Sequence, residues 1–363
     1  MGVRDDELYM RRALRLAGRG LGRTSPNPPV GAVVVRRGKV VGQGFHRRAG
    51  LAHGEAAALK AAGAFARGAT LYVTLEPCAH HGRTPPCVDA VLASGVREVV
   101  VGTRDPNPKV RGGGIERLRR AGLKVRIGVL REECDDLIAA FRKHSATGLP
   151  FVTLKLAASL DGRIATASGE SRWVTSEASR AVVHQLRNDH DAVLVGAETV
   201  IHDDPELTCR LRGGRNPVRV IVDGRLRISA RSRVVKDGKA PTLVFTAKGT
   251  TTRRRLEAPG VEVIRMPATS GRIAWSRLLR ELGRRDVMSV LIEGGADVAA
   301  GVLAARLVDI VCLFYAPKLI GGDGRAVLGP LGVRRLRQAI ELQAPSVHRV
   351  GVDLLIISHM SPR

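Results

Sequence analysis

The chain has 363 residues, long enough for two domains that each bury a core, and its 44% hydrophobic and 26% charged residues give a globular composition. No apolar run approaches the roughly 18 residues of a bilayer span, and the N-terminus mixes both charge signs without the apolar centre of a secretory signal, so a soluble cytoplasmic protein is expected. The net charge of +25, carried mostly by arginine, raises the question of nucleic acid. Aromatics are only 3%, however, too few for a base-stacking surface, and the basic residues are spread without a basic tail, which favours a phosphorylated small ligand instead.

In chain order, residues 5–19 carry apolar positions at helical spacing (Leu8, Ala13, Leu16, Ala17) behind an Asp cap. VGAVVV and KVVGQG read as two strands joined by a turn at RRGK, followed by an alanine-rich helix over 53–63. Strand ATLYVTL leads into the loop EPCAHHGRTPPC. After it come helix CVDAVLAS, strand EVVVG, helix 113–121, strand KVRIG and helix 131–146, a largely parallel α/β pattern. ATGLPFVTLKL breaks this rhythm, which places a domain boundary near 147 and predicts domains over 1–147 and 148–363. The second half predicts strands at 151–158, 191–195, 218–223, 242–246, 261–265, 288–292, 308–314 and 352–358. Its predicted helices lie at 176–188, 272–283 and 296–304.

Five cysteines at scattered positions argue against a disulfide framework, and only Cys78 and Cys87 lie close together. His53 at a helix start, with these two thiols, supplies three good zinc ligands and leaves a fourth position for water. A helix N-terminus at Cys87 favours a thiolate, and Pro85 and Pro86 suit the entry to that helix. Glu55, two residues after His53, is placed to move protons beside the metal without binding it. The H-x-E and P-C elements match the zinc nucleobase deaminase pattern, but eight residues separate the cysteines instead of two. The competing structural reading is a closed zinc site completed by His80 or His81, which leaves Glu55 without a purpose.

TSPNPPVGAVVV, HGE, TLEPCAHHGRTPPC and, further on, KLAASLDGRIATASGESRWVTS resemble the bifunctional deaminase-reductase family of riboflavin biosynthesis, over almost the whole chain and in motif order. The resemblance implies a cytidine-deaminase-like three-layer α/β domain followed by a dihydrofolate-reductase-like α/β domain. It implies zinc on His53, Cys78 and Cys87, with Glu55 as proton shuttle, acting on a diaminopyrimidinone that bears a ribosylamino 5′-phosphate. Asn27, His46, His80, Arg83 and Thr84 are then expected at the substrate, the last three from the insert between the cysteines. Gly54 departs from the alanine usual between the His and the Glu.

The second half has no G-x-G-x-x-G after a strand, and its clearest element is SVLIEGGADVAAG, a strand and glycine turn opening a helix N-terminus fit for phosphate. The resemblance implies an NADPH-dependent reductase of the ribosyl chain. Ala157, Trp173, Thr199, Asp203, Gly224 and the stretch Gly295, Ala296, Asp297, Val298, Ala299, Ala300, Gly301 are expected at the dinucleotide. Ser171, Arg187, Leu207, Arg210 and Glu293 are expected at the substrate, with Arg187 and Arg210 holding phosphate. Lys155 and Asp203 are the candidate polar groups at the atom that receives hydride. Gly224 replaces a hydroxyl residue frequent in the family, and Arg225 and Arg227 after it are the candidates for the extra phosphate of NADP, Arg225 first. Two other readings compete: a nucleic-acid or nucleoside deaminase with an accessory basic domain, and a zinc-stabilised dinucleotide sensor without catalysis. Homo-oligomerisation is left open, and no membrane partner is expected.

Overall fold

The computed structural model describes residues 3–81, 85–107, 113–250 and 256–361. It divides into two compact units, Met1–Leu149 and Pro150–Arg363.

The first unit runs α1 (Val3–Gly18), β1 (Gly31–Arg36), β2 (Lys39–Phe45), α2 (Gly54–Ala62), β3 (Thr70–Leu75), α3 (Cys87–Ala93), β4 (Glu98–Thr103), α4 (Gly113–Arg120), β5 (Lys124–Ile127), α5 (Arg131–Leu137) and α6 (Ala139–Thr147). Its sheet has the order β2-β1-β3-β4-β5. Strands β3, β4 and β5 are parallel, whereas β1 is antiparallel to both β2 and β3, so the sheet is mixed and not largely parallel. Strand alternation sorts the core onto two faces. Ala32, Val34, Leu71, Val73, Val99 and Val101 pack with Ala58 and Leu59 of α2, Val88 and Val91 of α3, and Ile115 and Leu118 of α4. Val33, Val35, Tyr72 and Val100 pack with Tyr9, Met10 and Ala13 of α1 and Cys134 of α5. Three layers result, helices on both faces of one sheet. The single helix expected over 131–146 is two, broken at Ile138, whose φ of −102° and ψ of 13° leave the helical region while its side chain is buried.

The second unit runs β6 (Phe151–Ser159), β7 (Arg163–Ala165), α7 (Glu177–Asp189), β8 (Ala192–Gly196), α8 (Ala197–Asp203), β9 (Val218–Val222), α9 (Arg233–Lys236), β10 (Thr242–Ala247), β11 (Val261–Met266), β12 (Ala268–Thr269), β13 (Arg272–Ile273), α10 (Trp275–Arg284), β14 (Ser289–Ile292), α11 (Ala296–Ala304), β15 (Ile310–Ala316), β16 (Arg325–Ala326), β17 (Leu342–Val350) and β18 (Asp353–Met360). Its main sheet has the order β11-β10-β9-β8-β14-β6-β15-β18-β17. The seven strands from β11 to β15 are parallel, and β18 and β17 add antiparallel to their edge. A parallel array puts the carboxyl ends of its strands along one rim, where α/β sheets bind ligands. Along that rim stand Ser159, Gly196, Asp223-Gly224-Arg225 and Glu293-Gly294-Gly295.

Candidate active sites

In the first unit, His53 is the N-cap of α2 with extended backbone, which puts Glu55 in the first helical turn and buries it. A Cβ at Gly54 would lie 2.7 Å from the Val30 carbonyl oxygen, so the helix start is pressed against the entry to β1. Cys78 stands in the loop after β3, and Cys87 is the first residue of α3 behind Pro86 as N-cap.

The fold brings His53 Nδ1, Cys78 Sγ and Cys87 Sγ within 4.8 Å of one another. His53 Nδ1 lies 3.2 Å from Cys87 Sγ and 3.7 Å from Cys78 Sγ, and the Cys87 amide donates to Cys78 Sγ at 3.3 Å. The side-chain hydrogen bond from Cys87, helped by His53, outweighs burial and holds the Cys78 thiol down at about 4. The same contact pushes Cys87 up, as two close thiols share one proton. Burial pushes the Glu55 carboxyl up to about 7 against the pull of His53. Glu55 Oε2 is buried with no hydrogen-bond partner among the described residues. Two sulfurs and an imidazole nitrogen converging beside an orphaned carboxylate oxygen fit a catalytic zinc, which takes three protein ligands and keeps one position open.

His46 forms the wall next to this cluster, its ring edge-on to His53 with centroids 4.9 Å apart. Its Nδ1 donates to the Ala52 carbonyl at 3.1 Å and its Nε2 accepts from Asn27 Nδ2 at 3.1 Å. Burial lowers the His46 pKa, partly offset by the Ala52 bond, so the ring is held neutral and fixes the Asn27 amide. His80 and His81 are exposed, and Arg83 and Thr84 lie outside the described residues. The sequence reading passed over Glu76 and Asp105. Glu76 is buried and accepts three backbone amides, from Gly114 and Ile115 at 3.1 Å each and from Asp105 at 3.2 Å. Burial pushes Asp105 up to about 6 against the amide bond from Asn107. The one signal in the sequence was an acidic residue next to each proline turn, in EPC and in DPN.

In the second unit the register pairs Leu154 with Ile292, so the following residues Lys155 and Glu293 come side by side on β6 and the end of β14. Burial lowers the Lys155 pKa, the Glu293 charge opposing it. Glu293 takes a forked grip from Arg187, Nε to Oε1 at 2.6 Å and Nη2 to Oε2 at 2.8 Å. Burial would raise the Glu293 pKa, but the Arg187 charge and hydrogen bonds outweigh it and the net shift is downward. Arg187 Nη1 also donates to the Thr208 carbonyl at 3.0 Å. The guanidinium expected to hold phosphate is therefore largely spent inside the protein, and Arg210, exposed and only loosely near Glu206 at 3.5 Å, is the freer cation.

The other residues expected at the dinucleotide and the substrate differ in exposure and in the contacts they make. Leu207 has φ of 53° and is buried, packed in the core. Arg219, also buried, donates to the Glu206 carbonyl at 3.3 Å, so two arginines hold carbonyls on either side of Leu207. Of the glycine-turn stretch, Gly295 to Val298 lie toward the surface, whereas Ala299 and Ala300 are buried. A Cβ at Gly301 would sit 2.6 Å from Trp275 Nε1, so that glycine serves helix packing of α11 on α10. Trp173 is 63% exposed, not core, with the Arg180 guanidinium 4.6 Å over its ring. Asp203 ends α8 half-exposed, its carbonyl accepting from Arg172 at 2.6 Å, and Thr199 and Ala157 are half-buried on α8 and β6, as is Ser171 between β7 and α7. A Cβ at Gly224 would meet the Gly271 carbonyl oxygen at 2.3 Å, which excludes the hydroxyl residue the family often carries there. Arg227 is tied to Glu198 and, at 3.7 Å, to Asp223, while Arg225 is exposed.

Comparison with known proteins places both units. Residues 3–103 match the cytidine and deoxycytidylate deaminase zinc-binding region, and residues 150–356 match the RibD C-terminal domain. The riboflavin biosynthesis protein RibD of Bacillus amyloliquefaciens is 44% identical over 353 residues, covering 96% of this chain and 95% of its own. That of Escherichia coli K12 is 41% identical, covering 97% and 98%. A diaminohydroxyphosphoribosylaminopyrimidine deaminase/5-amino-6-(5-phosphoribosylamino)uracil reductase from Thermotoga maritima superimposes with a TM-score of 0.89 at 41% identity, covering 99% of both chains. RibD from Acinetobacter baumannii does so with a TM-score of 0.88 at 37% identity, covering 99% and 100%. The molecule is accordingly a bifunctional enzyme, a hydrolytic zinc deaminase followed by an NADPH-dependent reductase. The chain belongs to the RibD family, and its two activities serve riboflavin biosynthesis.

Proposed function

We propose that residues 1–147 deaminate 2,5-diamino-6-(5-phosphoribosylamino)pyrimidin-4(3H)-one and that residues 148–363 then reduce its ribosyl chain to ribityl. The observation that carries the first step is the buried, unpartnered Oε2 of Glu55 beside the converging His53, Cys78 and Cys87. Bound by these three ligands, zinc supplies a water acidic enough to react near neutral pH. Glu55 Oε2 would take one proton from that water and pass it to the ring nitrogen, then carry the second, from the added hydroxyl, to the departing amine. Asn27, fixed by neutral His46, offers its carbonyl oxygen to the pyrimidine edge or a ribose hydroxyl. His80, with Arg83 and Thr84, serves the phosphate end.

In the reductase half, NADPH supplies the hydride. The first turn of α11 receives its phosphates, and Trp173, Thr199, Asp203 and Ala157 complete the dinucleotide contacts. Lys155 beside Glu293 is the polar group at the receiving atom, with Asp203 the alternative, and Arg210 and Ser171 hold the substrate. The forked Arg187–Glu293 pair fixes the Glu293 carboxylate for a substrate hydroxyl. The ligand is a phosphorylated small molecule, and polynucleotide is disfavoured by the scarcity of aromatics. Among the described residues no helix is long and apolar enough to cross a membrane, which supports a cytoplasmic location.

Zinc-loaded protein given the diaminopyrimidinone phosphate is expected to release ammonia without NADPH and to oxidise NADPH only after release. Ammonia without subsequent oxidation would remove the reductase assignment. Because Arg227 is occupied by two carboxylates, Arg225 is the residue for the extra phosphate of NADPH. Arg225→Ala should weaken NADPH by roughly 10- to 100-fold, the ~1.5–3 kcal/mol of a charged hydrogen bond, and leave NADH nearly unchanged. Equal weakening of both cofactors in binding titrations would overturn that role.

A further inference from the structure

Of the three zinc ligands, Cys87 opens α3 and His53 is the N-cap of α2, whereas Cys78 stands in the loop after β3 and neither starts nor caps a helix. Glu76, two residues before it, is anchored from three directions. Its own amide donates to the Thr103 carbonyl at 2.9 Å. Its Oε1 accepts the Gly114 and Ile115 amides at 3.1 Å, the second and third residues of α4. Its Oε2 accepts the Asp105 amide at 3.2 Å. Glu76 thus does for α4 what the side chain of an N-cap residue does, but from a distant segment, the residue after β3. Pro77 is clamped from the same side: a Cβ at Gly114 would lie 1.9 Å from its carbonyl oxygen, so only glycine lets α4 come this close. On the far side the Val88 amide of α3 donates to the Cys78 carbonyl at 3.2 Å.

We propose that Glu76 is a positioning residue of the zinc site, locking the loop that presents Cys78 onto the N-terminus of α4, with Gly114 providing the close approach. It neither binds zinc nor touches substrate. Groups that orient metal ligands typically matter 10- to 100-fold for metal retention. Glu76→Gln keeps the side-chain length but replaces one acceptor oxygen with an N–H donor facing backbone amides. Gly114→Ala leaves Glu76 intact and displaces Pro77 instead.

The test measures zinc release from full-length enzyme into a chromogenic chelator, alongside NADPH oxidation with pre-deaminated substrate as a control on the other unit. Both variants are expected to release zinc roughly 10- to 100-fold faster than the parent. After cobalt replacement, both are expected to shift the thiolate-to-cobalt absorption, and NADPH oxidation is expected to stay unchanged. A folded Glu76→Gln protein with parental zinc release and an unshifted cobalt spectrum would overturn the proposal, even if its melting temperature fell. Loss of the folded deaminase unit in both variants would also overturn it, since the pair would then hold the domain and not the ligand loop.

Discussion

Glu55→Gln should keep one zinc per chain and lower ammonia release by about 10²–10⁴-fold, the usual share of a general acid–base group. The amide occupies the same buried space and cannot accept or return a proton. NADPH oxidation with pre-deaminated substrate should be unaffected, because Glu55 lies in the first unit. The variant should also melt no lower than the parent, since it removes a buried carboxylate whose Oε2 has no partner. Metal analysis with an ammonia assay decides the matter. Near-parental deamination would show that Glu55 does not carry the proton, and loss of zinc would show that it is a ligand.

The second large effect concerns Glu293. Glu293→Ala leaves the Arg187 guanidinium buried without its forked partner, which costs about 3–5 kcal/mol. For a unit of this size that corresponds to roughly 6–20 °C in melting temperature. Reduction should be lost, while ammonia release continues. Pairing Arg187→Met with Glu293→Leu should recover most of the stability, because an apolar pair replaces a buried ion pair at little cost. It should not recover NADPH oxidation. Recovery of both would mean the pair serves folding alone. The depressed Glu293 pKa sets the sign of the pH dependence. The stabilisation is present above the ordinary glutamate pKa, is lost as acid protonates Glu293, and is absent from the double variant.

Most of the helices and strands were legible because their pattern is local. Alternation in AVVV and LYVTL sorts one sheet onto two core faces, and the alanines of α2 mark a helix packed close to that sheet. The misses have identifiable causes. Strand β17 is exposed along nearly its whole length, carries Pro345 and shifts register between Gln343 and Ser346, so it shows no alternation to find. Helix α8 is only seven residues long and follows β8 without a break. Ile138 breaks a periodic helix through its backbone angles alone, with no Gly or Pro to announce it.

The sites divide along the same line. The sequence by itself determined the chemistry: His53, Cys78 and Cys87 are a deaminase ligand set by residue type and order, with Glu55 as the proton carrier beside it, and the motifs of the second half resemble a reductase. Tertiary structure decided which side chains remain available for that chemistry. It spent Arg187 on Glu293, buried Leu207, Ala299 and Ala300, left Trp173 exposed, and closed Gly271 over Gly224. It also recruited Glu76, whose three donors come from residues 29 to 39 positions away. The physical reason is that ligand identity is carried by side-chain chemistry and is written residue by residue. Burial, pairing and close approach depend on segments that meet only after folding, and no local pattern records them.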